Sequence, residues 1–219
     1  MNPEKTKLSS NLSKRLIQLQ DPYVFLEHCV FTRDEVDFKE SIKAAPVHWG
    51  YVQTVCNIWH EWDKTIFDKS RRLWISWEML ALHLHLSFTN INRRVGIVSK
   101  KFDDSCAHLE NMKFMWDHIP EEIYPAEYRP TPRYKEGYIF FDEIGSTIHA
   151  LASGPDQARQ YGFSALFFDE VDYWENQEAT FAAAQPTLDG GGKLAIATTH
   201  APQATGEDSY YKRILEDRI

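Results

Sequence analysis

The chain has 219 residues, 43% hydrophobic and 26% charged, with 24 Lys and Arg against 32 Asp and Glu and a net charge of −8. That length and apolar content suit one large domain or two small ones with a real core, and they exclude a disordered chain. No apolar run approaches the roughly 20 residues of a membrane span. The opening MNPEKTKLSSNLSKRL lacks the apolar stretch of a secretion signal. The acidic balance argues against a general nucleic-acid coat while leaving room for a local basic track. Cys29, Cys56 and Cys106 lie far apart without CxxC or Cys/His ligand spacing, which points away from disulfides or zinc and toward a reducing compartment.

The first 60 residues read as a mostly helical, aromatic region packed on a core that runs from 61 to 219. Asp21-Pro22 marks a helix entry with proline in the first turn. From Val47 to Trp62, apolar Val52, Val55, Cys56 and Trp59 recur at helical spacing. Thr65 to Phe67 reads as a buried strand, and DKSRRLWIS leads from it into a helix, Trp77 to Phe88, that is apolar on nearly every face and so expected to be buried. A strand from Val95 to Ser99 and a helix from Asp103 to Trp116 repeat the strand–helix alternation of a parallel α/β sheet. After a connection containing Pro120, Pro125, Pro130 and Pro132, the run from Gly137 to Ser153 reads as a hairpin turning near Gly145-Ser146. Ala165 to Phe168 and Leu194 to Thr198 are continuous apolar strands, separated by a helix and the turn Gly190-Gly191-Gly192.

The strongest chemical signal is the end of the first of these two strands, Ala165-Leu166-Phe167-Phe168-Asp169-Glu170. It places adjacent carboxylates at a strand's carboxyl edge, where open α/β sheets bind ligands. In nucleotide hydrolysis Asp169 would hold Mg²⁺ and Glu170 would orient the attacking water. The plainer reading is a strand followed by an acidic helix start, where carboxylates favour the helix dipole. A near copy, Ile139-Phe140-Phe141-Asp142-Glu143, runs into Ile144-Gly145-Ser146, so its acids are assigned to a hairpin turn. The neighbouring strand ends in Thr198-Thr199-His200, polar residues able to sense a terminal phosphate.

A phosphate cradle should follow an earlier strand and open a helix. There are only 10 glycines, and none falls between Gly50 and Gly96. By its position between strand 65–67 and helix 77–88, and by its charge, the candidate loop is nevertheless Lys69-Ser70-Arg71-Arg72-Leu73-Trp74-Ile75-Ser76, with Trp74 where a glycine belongs, Ile75 where the lysine belongs, and Ser76 as the Mg²⁺-binding hydroxyl. A cradle needs positive φ and close backbone approach, both of which Trp74 is expected to resist.

In this combination the chain resembles the N-terminal ATPase domain of tailed-bacteriophage terminase large subunits, the motors that package viral DNA. The segments FLEHCVFTRDE, PVHWGYVQTVCNIW, KSRRLWIS, the hairpin, ASGPDQARQYGFS, LFFDE and ATTH occur in the family's order across residues 20–205. The resemblance implies an α/β P-loop ATPase of the additional-strand, catalytic-glutamate class, with a mostly parallel central sheet flanked by helices. It implies ATP and Mg²⁺ as ligands, with Lys69 or Arg72 on the phosphates beside Ser70 and Arg71. Ser76 and Asp169 would hold the metal, and Glu170 would position water. Thr198 and Thr199 would couple hydrolysis to movement, Gln53 would read adenine, and Arg159 would act as a trans-acting finger. A glutamine on a helix such as Gln53 is more often a surface residue, and a solvated surface position is the alternative for Arg159. The implied partners are double-stranded DNA, portal protein, the small terminase subunit and further copies in a homo-oligomeric ring, in the host cytoplasm and without a membrane. The family's nuclease domain is expected to be absent from this chain, and nuclease activity with it. The alternatives are a non-hydrolysing or weakly binding P-loop scaffold that docks to portal or small subunit, and a helicase-like ATPase. Arg93-Arg94 and Lys100-Lys101 bracket a strand, as DNA contacts or as solvated charge. His83 and His85, two apart on a helix, do not share a face and are expected in the core rather than on a metal. The tryptophans are likewise expected in the core.

Overall fold

The computed structural model describes residues 12–33, 41–154, 162–199 and 210–216. Residues 12–18 are helical (α1), and Asp21 caps the next helix, α2 (Pro22–Cys29), accepting from the Tyr23 and Val24 amides with Pro22 in the first turn. The described part of the first 60 residues is mostly helical, with a short ribbon that the sequence reading did not foresee. Val30 turns extended, and β1 (Phe31–Arg33) pairs antiparallel with β2 (Ile42–Ala44), Thr32 opposite Lys43. The β-branched and aromatic run Val30-Phe31-Thr32 favours this ribbon over a longer helix. α3 (Gly50–Glu61) follows, burying Val52, Val55, Cys56 and Trp59 as its spacing predicts.

The central sheet has seven strands in the order β3–β9–β8–β4–β7–β6–β5. Five are parallel neighbours: β3 (Lys64–Asp68), β9 (Lys193–Thr198), β8 (Ala165–Asp169), β4 (Arg94–Ser99) and β7 (Ser146–Ala152). The antiparallel strands β6 (Tyr138–Phe141) and β5 (Arg133–Lys135) complete one edge. The hairpin between β6 and β7 turns through Asp142–Ile144 and Gly145, whose φ of 68° suits glycine. There Arg133 grips Asp142 with two bonds of 2.7 and 3.0 Å, so the second acidic pair does belong to a turn.

Helices cover both faces, which is why β8 reads as an unbroken apolar run. Ala165 and Phe167 join a core with α2, α3, α4 (Ile75–Thr89) and α5 (Phe102–Asp117), including Phe25, Trp59, Met79, Leu80 and Met112. Leu166 and Phe168 face the other way, in a core with Trp174, Ala184 of α6 (Gln177–Asp189) and Tyr211 of α7 (Tyr210–Leu215). α4, sealed between sheet and helices, buries almost its whole surface. His83 and His85 lie in that core, bonded to the Met79 and Leu19 carbonyls, and burial pushes both imidazoles down to about 4. They are neutral packing residues, as expected from their spacing.

Candidate functional site

Every parallel strand delivers its carboxyl end to the same edge, so the loops after β3, β4, β8 and β9 converge there. The loop from β3 starts alongside β9, with the Lys69 amide donating to the Thr198 carbonyl at 3.0 Å. It then turns sharply into α4. Arg72 and Trp74 take φ values of 65° and 60°, and Trp74 is the residue that caps the helix. The loop therefore adopts the left-handed backbone expected of glycine although no glycine is present, at a cost of roughly 1–2 kcal/mol per residue. Two contacts hold it in place. Trp74 packs half-buried against the core, and the Tyr51 hydroxyl of α3 donates to the Leu73 carbonyl at 2.7 Å. Removing that hydroxyl in Tyr51→Phe should cost about 1 kcal/mol in thermal unfolding; an unchanged unfolding midpoint would show that the loop needs no such support.

β8 brings the carboxylates to this loop. Asp169, its last residue, is almost fully buried, and Glu170 turns into the left-handed region with φ of 53°. All four carboxylate oxygens are engaged. Asp169 Oδ1 accepts from Ser76 Oγ at 2.8 Å, and Oδ2 lies 2.9 Å from His108 Nε2. Glu170 Oε1 accepts from Lys69 Nζ at 2.8 Å, while Oε2 accepts from the Thr199 amide and hydroxyl at 3.0 and 2.9 Å. The Lys69 side chain is 8% exposed, so its pairing with Glu170 is shielded from solvent and stronger than a surface ion pair. Beyond Glu170, the Tyr173 hydroxyl lies 3.4 Å from both Thr199 Oγ1 and Arg71 Nη2, contacts that hold the phenol below its usual pKa.

These groups border a cleft of about 620 Å³, lined by Lys69, Arg71, Arg72, Lys100, Asp104, His108, Asn111, Asp169, Glu170, Tyr173 and Thr199 among others. A neighbouring cavity of about 700 Å³ shares Arg72 and Asn111 with it and adds Arg33, Lys43, His48 and three tryptophans that the sequence assigned to the core, Trp49, Trp74 and Trp77. The structure thus brings together Lys69, Arg71, Arg72, Ser76, Asp169, Glu170 and Thr199. Thr198 stands behind the site, buried, accepting from the Asp172 amide and donating to the Thr199 carbonyl. Ser70 is exposed and lines neither cavity, and Gln53 is exposed on the outer side of α3, away from both. Arg159 and His200 lie outside the described residues. Lys100 joins the cleft, whereas Arg94 starts β4 at the opposite end of that strand.

Sequence reasoning missed His108, Asp104, Asn111 and Tyr173. Three of them lie on α5, and only the pairing of β4 with β8 puts that helix beside the acidic strand. Among the described residues no three His, Cys, Asp or Glu side chains cluster as a metal site. The hard oxygen donors of Asp169 and Ser76 suit Mg²⁺ within a site that phosphates would complete.

No protein-family model matches the sequence. Among solved structures, the large terminase of bacteriophage HK97 superposes with a TM-score of 0.67 at 12% identity, over 91% of this chain and 40% of that one. A variant of the ATPase domain of the Thermus phage P74-26 large terminase gives a TM-score of 0.54 at 14% identity, over 70% of this chain and 64% of that one. The chain has the fold of a phage large-terminase ATPase domain. It spans less than two thirds of either terminase chain. The placement of β9 between β3, which carries the loop, and acidic β8 matches the additional-strand arrangement expected from the sequence. At this identity the likeness to the terminases is one of fold.

Proposed function

We propose that this chain is the ATPase motor domain of a viral terminase large subunit, hydrolysing ATP to drive double-stranded DNA into a procapsid. The observation that carries the reading is the contact between loop and acidic strand end: Lys69 on Glu170 and Ser76 on Asp169, each at 2.8 Å. ATP entering the cleft offers Lys69 a phosphate in place of Glu170, with Arg71 and Arg72 at the rim to add neutralising charge. Ser76 and Asp169 would hold Mg²⁺, which would supply neutralising charge for the phosphates. Glu170 loses Lys69 but keeps Thr199, so its freed Oε1 is oriented toward a water in the cleft. That water attacks the γ-phosphorus in line, its proton passes toward Glu170, and the bond to ADP breaks.

Thr199 follows the last residue of β9 and holds Glu170 directly, so a change in the phosphate state reaches that strand and the backbone of Thr198 behind it. We assign the coupling of hydrolysis to DNA movement to this pair, and a trans-acting role between copies in a ring to Arg159. Portal protein and the small terminase subunit complete the proposed assembly, in the host cytoplasm. Among the described residues no helix is long and apolar enough to cross a membrane.

The scaffold alternative keeps one observation in its favour: Trp74 and Ile75 stand where a phosphate loop has glycine and lysine, and Ile75 is buried. ATP titration by calorimetry separates the readings. Lys69→Ala should weaken binding by at least tenfold, about 1.4 kcal/mol, and Arg72→Ala by less, because Lys69 is the cation already seated at the acidic end. No measurable binding by the wild type, alone or with portal and DNA, would leave the scaffold.

A further inference from the structure

β3 stands at one end of the seven-stranded sheet, and among the described residues β9 is its one paired neighbour. The Asp63 carbonyl accepts from the Leu194 amide, and the Lys69 amide donates to the Thr198 carbonyl. Backbone groups alternate sides along a strand, so Asp63, Thr65, Phe67 and Lys69 face β9. The amides and carbonyls of Lys64, Ile66 and Asp68 therefore face the outer edge. Lys64 and Asp68 are exposed there, and Ile66 is half-buried. Ile66 also lines a cavity of about 580 Å³ on one sheet face, with Ile196 of β9, Phe181 of α6, and Tyr210 and Ile214 of α7. A row of outward backbone groups thus runs beside an apolar side-chain surface.

We propose that this edge docks a second copy of the chain, with β3 pairing antiparallel to β3 of the other molecule across a two-fold axis at Ile66. The order of charges along the strand selects that occupant. Centring on Ile66 sets Lys64 opposite Asp68 of the other copy at both ends, with Thr65 opposite Phe67. The three residues whose backbone faces outward then lie opposite one another, and each facing pair exchanges two hydrogen bonds. Shifting the partner by one residue sets outward-facing backbone against inward-facing backbone. Shifting it by two separates lysine from aspartate.

Charged residues commonly guard an exposed edge, and Lys64 and Asp68 guard this one against most strands. Against their own copy in reverse they attract, as opposite charges on facing strands do. The other end of the sheet differs. There β5 reads Arg133-Tyr134-Lys135, and the same register centred on Tyr134 sets cation opposite cation. Each copy has one β3 edge, so the assembly closes at two. Antiparallel pairing turns the two clefts to opposite ends of the dimer, and the inference is independent of what binds in them.

The test is analytical ultracentrifugation of the full chain, beside hydrogen exchange read by mass spectrometry. A five-residue strand with its flanks makes a small interface, so a weak, reversible dimer is expected over about 5–200 µM. Exchange in the peptide spanning β3 should slow as concentration rises through that range. Lys64→Asp sets like charge opposite like charge at both ends and should lower the association constant by about tenfold or more. The double variant Lys64→Asp with Asp68→Lys restores opposite pairs and should recover the constant to within about threefold of wild type. Circular dichroism confirms that the variants are folded, and the wild-type concentration dependence is decisive without them. A wild type that stays monomeric at about 200 µM overturns the inference. So does slow β3 exchange at every concentration, which would mean that another segment of the same chain covers the edge. A dimer that Lys64→Asp leaves unchanged overturns it as well, by placing the interface elsewhere.

Discussion

Glu170→Gln should lower ATP turnover by about 10²–10⁴-fold, the range for loss of a positioned general base, while leaving ATP binding intact or a few-fold tighter. The second half of that expectation comes from the ion pair. Lys69, 8% exposed, is held at 2.8 Å by Glu170 Oε1. A phosphate that recruits Lys69 must first compete with that carboxylate. An amide in its place accepts a hydrogen bond but carries no charge, so Lys69 is released more easily to the nucleotide. Thr199 still holds the side chain through its amide and hydroxyl, which keeps the fold of the strand end unchanged. A variant that loses turnover and binding together would mean that Glu170 organises the loop rather than the water. Steady-state kinetics beside an equilibrium titration distinguishes the two outcomes.

The largest stability effect is expected at Glu78, in the first turn of α4 behind the loop. Its side chain on α4 is fully buried, and neither carboxylate oxygen has a hydrogen-bond partner among the described residues. Desolvation pushes its carboxyl from 4.5 up to about 9. The ionisable groups within its electrostatic reach are Tyr23 on α2 and Tyr51 and Cys56 on α3, all raised first by burial and further by the charge Glu78 would carry. None of these is a cation that could hold the carboxylate ionised.

With a folded pKa above the unfolded one, the contribution to stability is complete below about pH 4.5 and is lost as pH rises toward about 9. At pH 7 the folded chain keeps a proton that the unfolded chain has released, which costs about 3 kcal/mol. Glu78→Met, similar in shape and free of that proton, should therefore be more stable by about this amount at pH 7. The advantage should shrink toward acid pH in denaturant titrations. An advantage that does not change between pH 5 and 8 would show that Glu78 does not take up a proton on folding.

Much of this site was readable because its parts are local. The apolar run Ala165–Phe168 ending in two acids announces a buried strand with a polar edge, and both faces prove to be covered. The loop Lys69–Ser76 was located by its position between a strand and an apolar helix, not by its glycines. Trp74, expected to resist a positive φ, adopts one at φ 60°, because left-handed backbone is a penalty of about 1–2 kcal/mol and not a prohibition. Tyr51 and the half-buried indole help to offset it.

What the sequence hid is non-local or too short to have a period. The strands Phe31–Arg33 and Ile42–Ala44 are three residues each, too few for alternation to separate them from a helical stretch. His108 became a neighbour of Asp169 only through the pairing of β4 with β8, and strand order cannot be read from residues 61 positions apart. Gln53 is the opposite case. The same spacing that buries Val52, Val55, Cys56 and Trp59 turns Gln53 outward, so its exposure was implicit in the pattern that located the helix.

The central claim is that loop and acidic strand end form a hydrolytic site without a glycine-rich cradle. Its most direct test is phosphate release from ATP and Mg²⁺ by the wild-type chain beside Glu170→Gln, both assembled with portal and double-stranded DNA. The account predicts turnover by the wild type that falls by about 10²–10⁴-fold in the variant; wild-type release no faster than that of Glu170→Gln would contradict it.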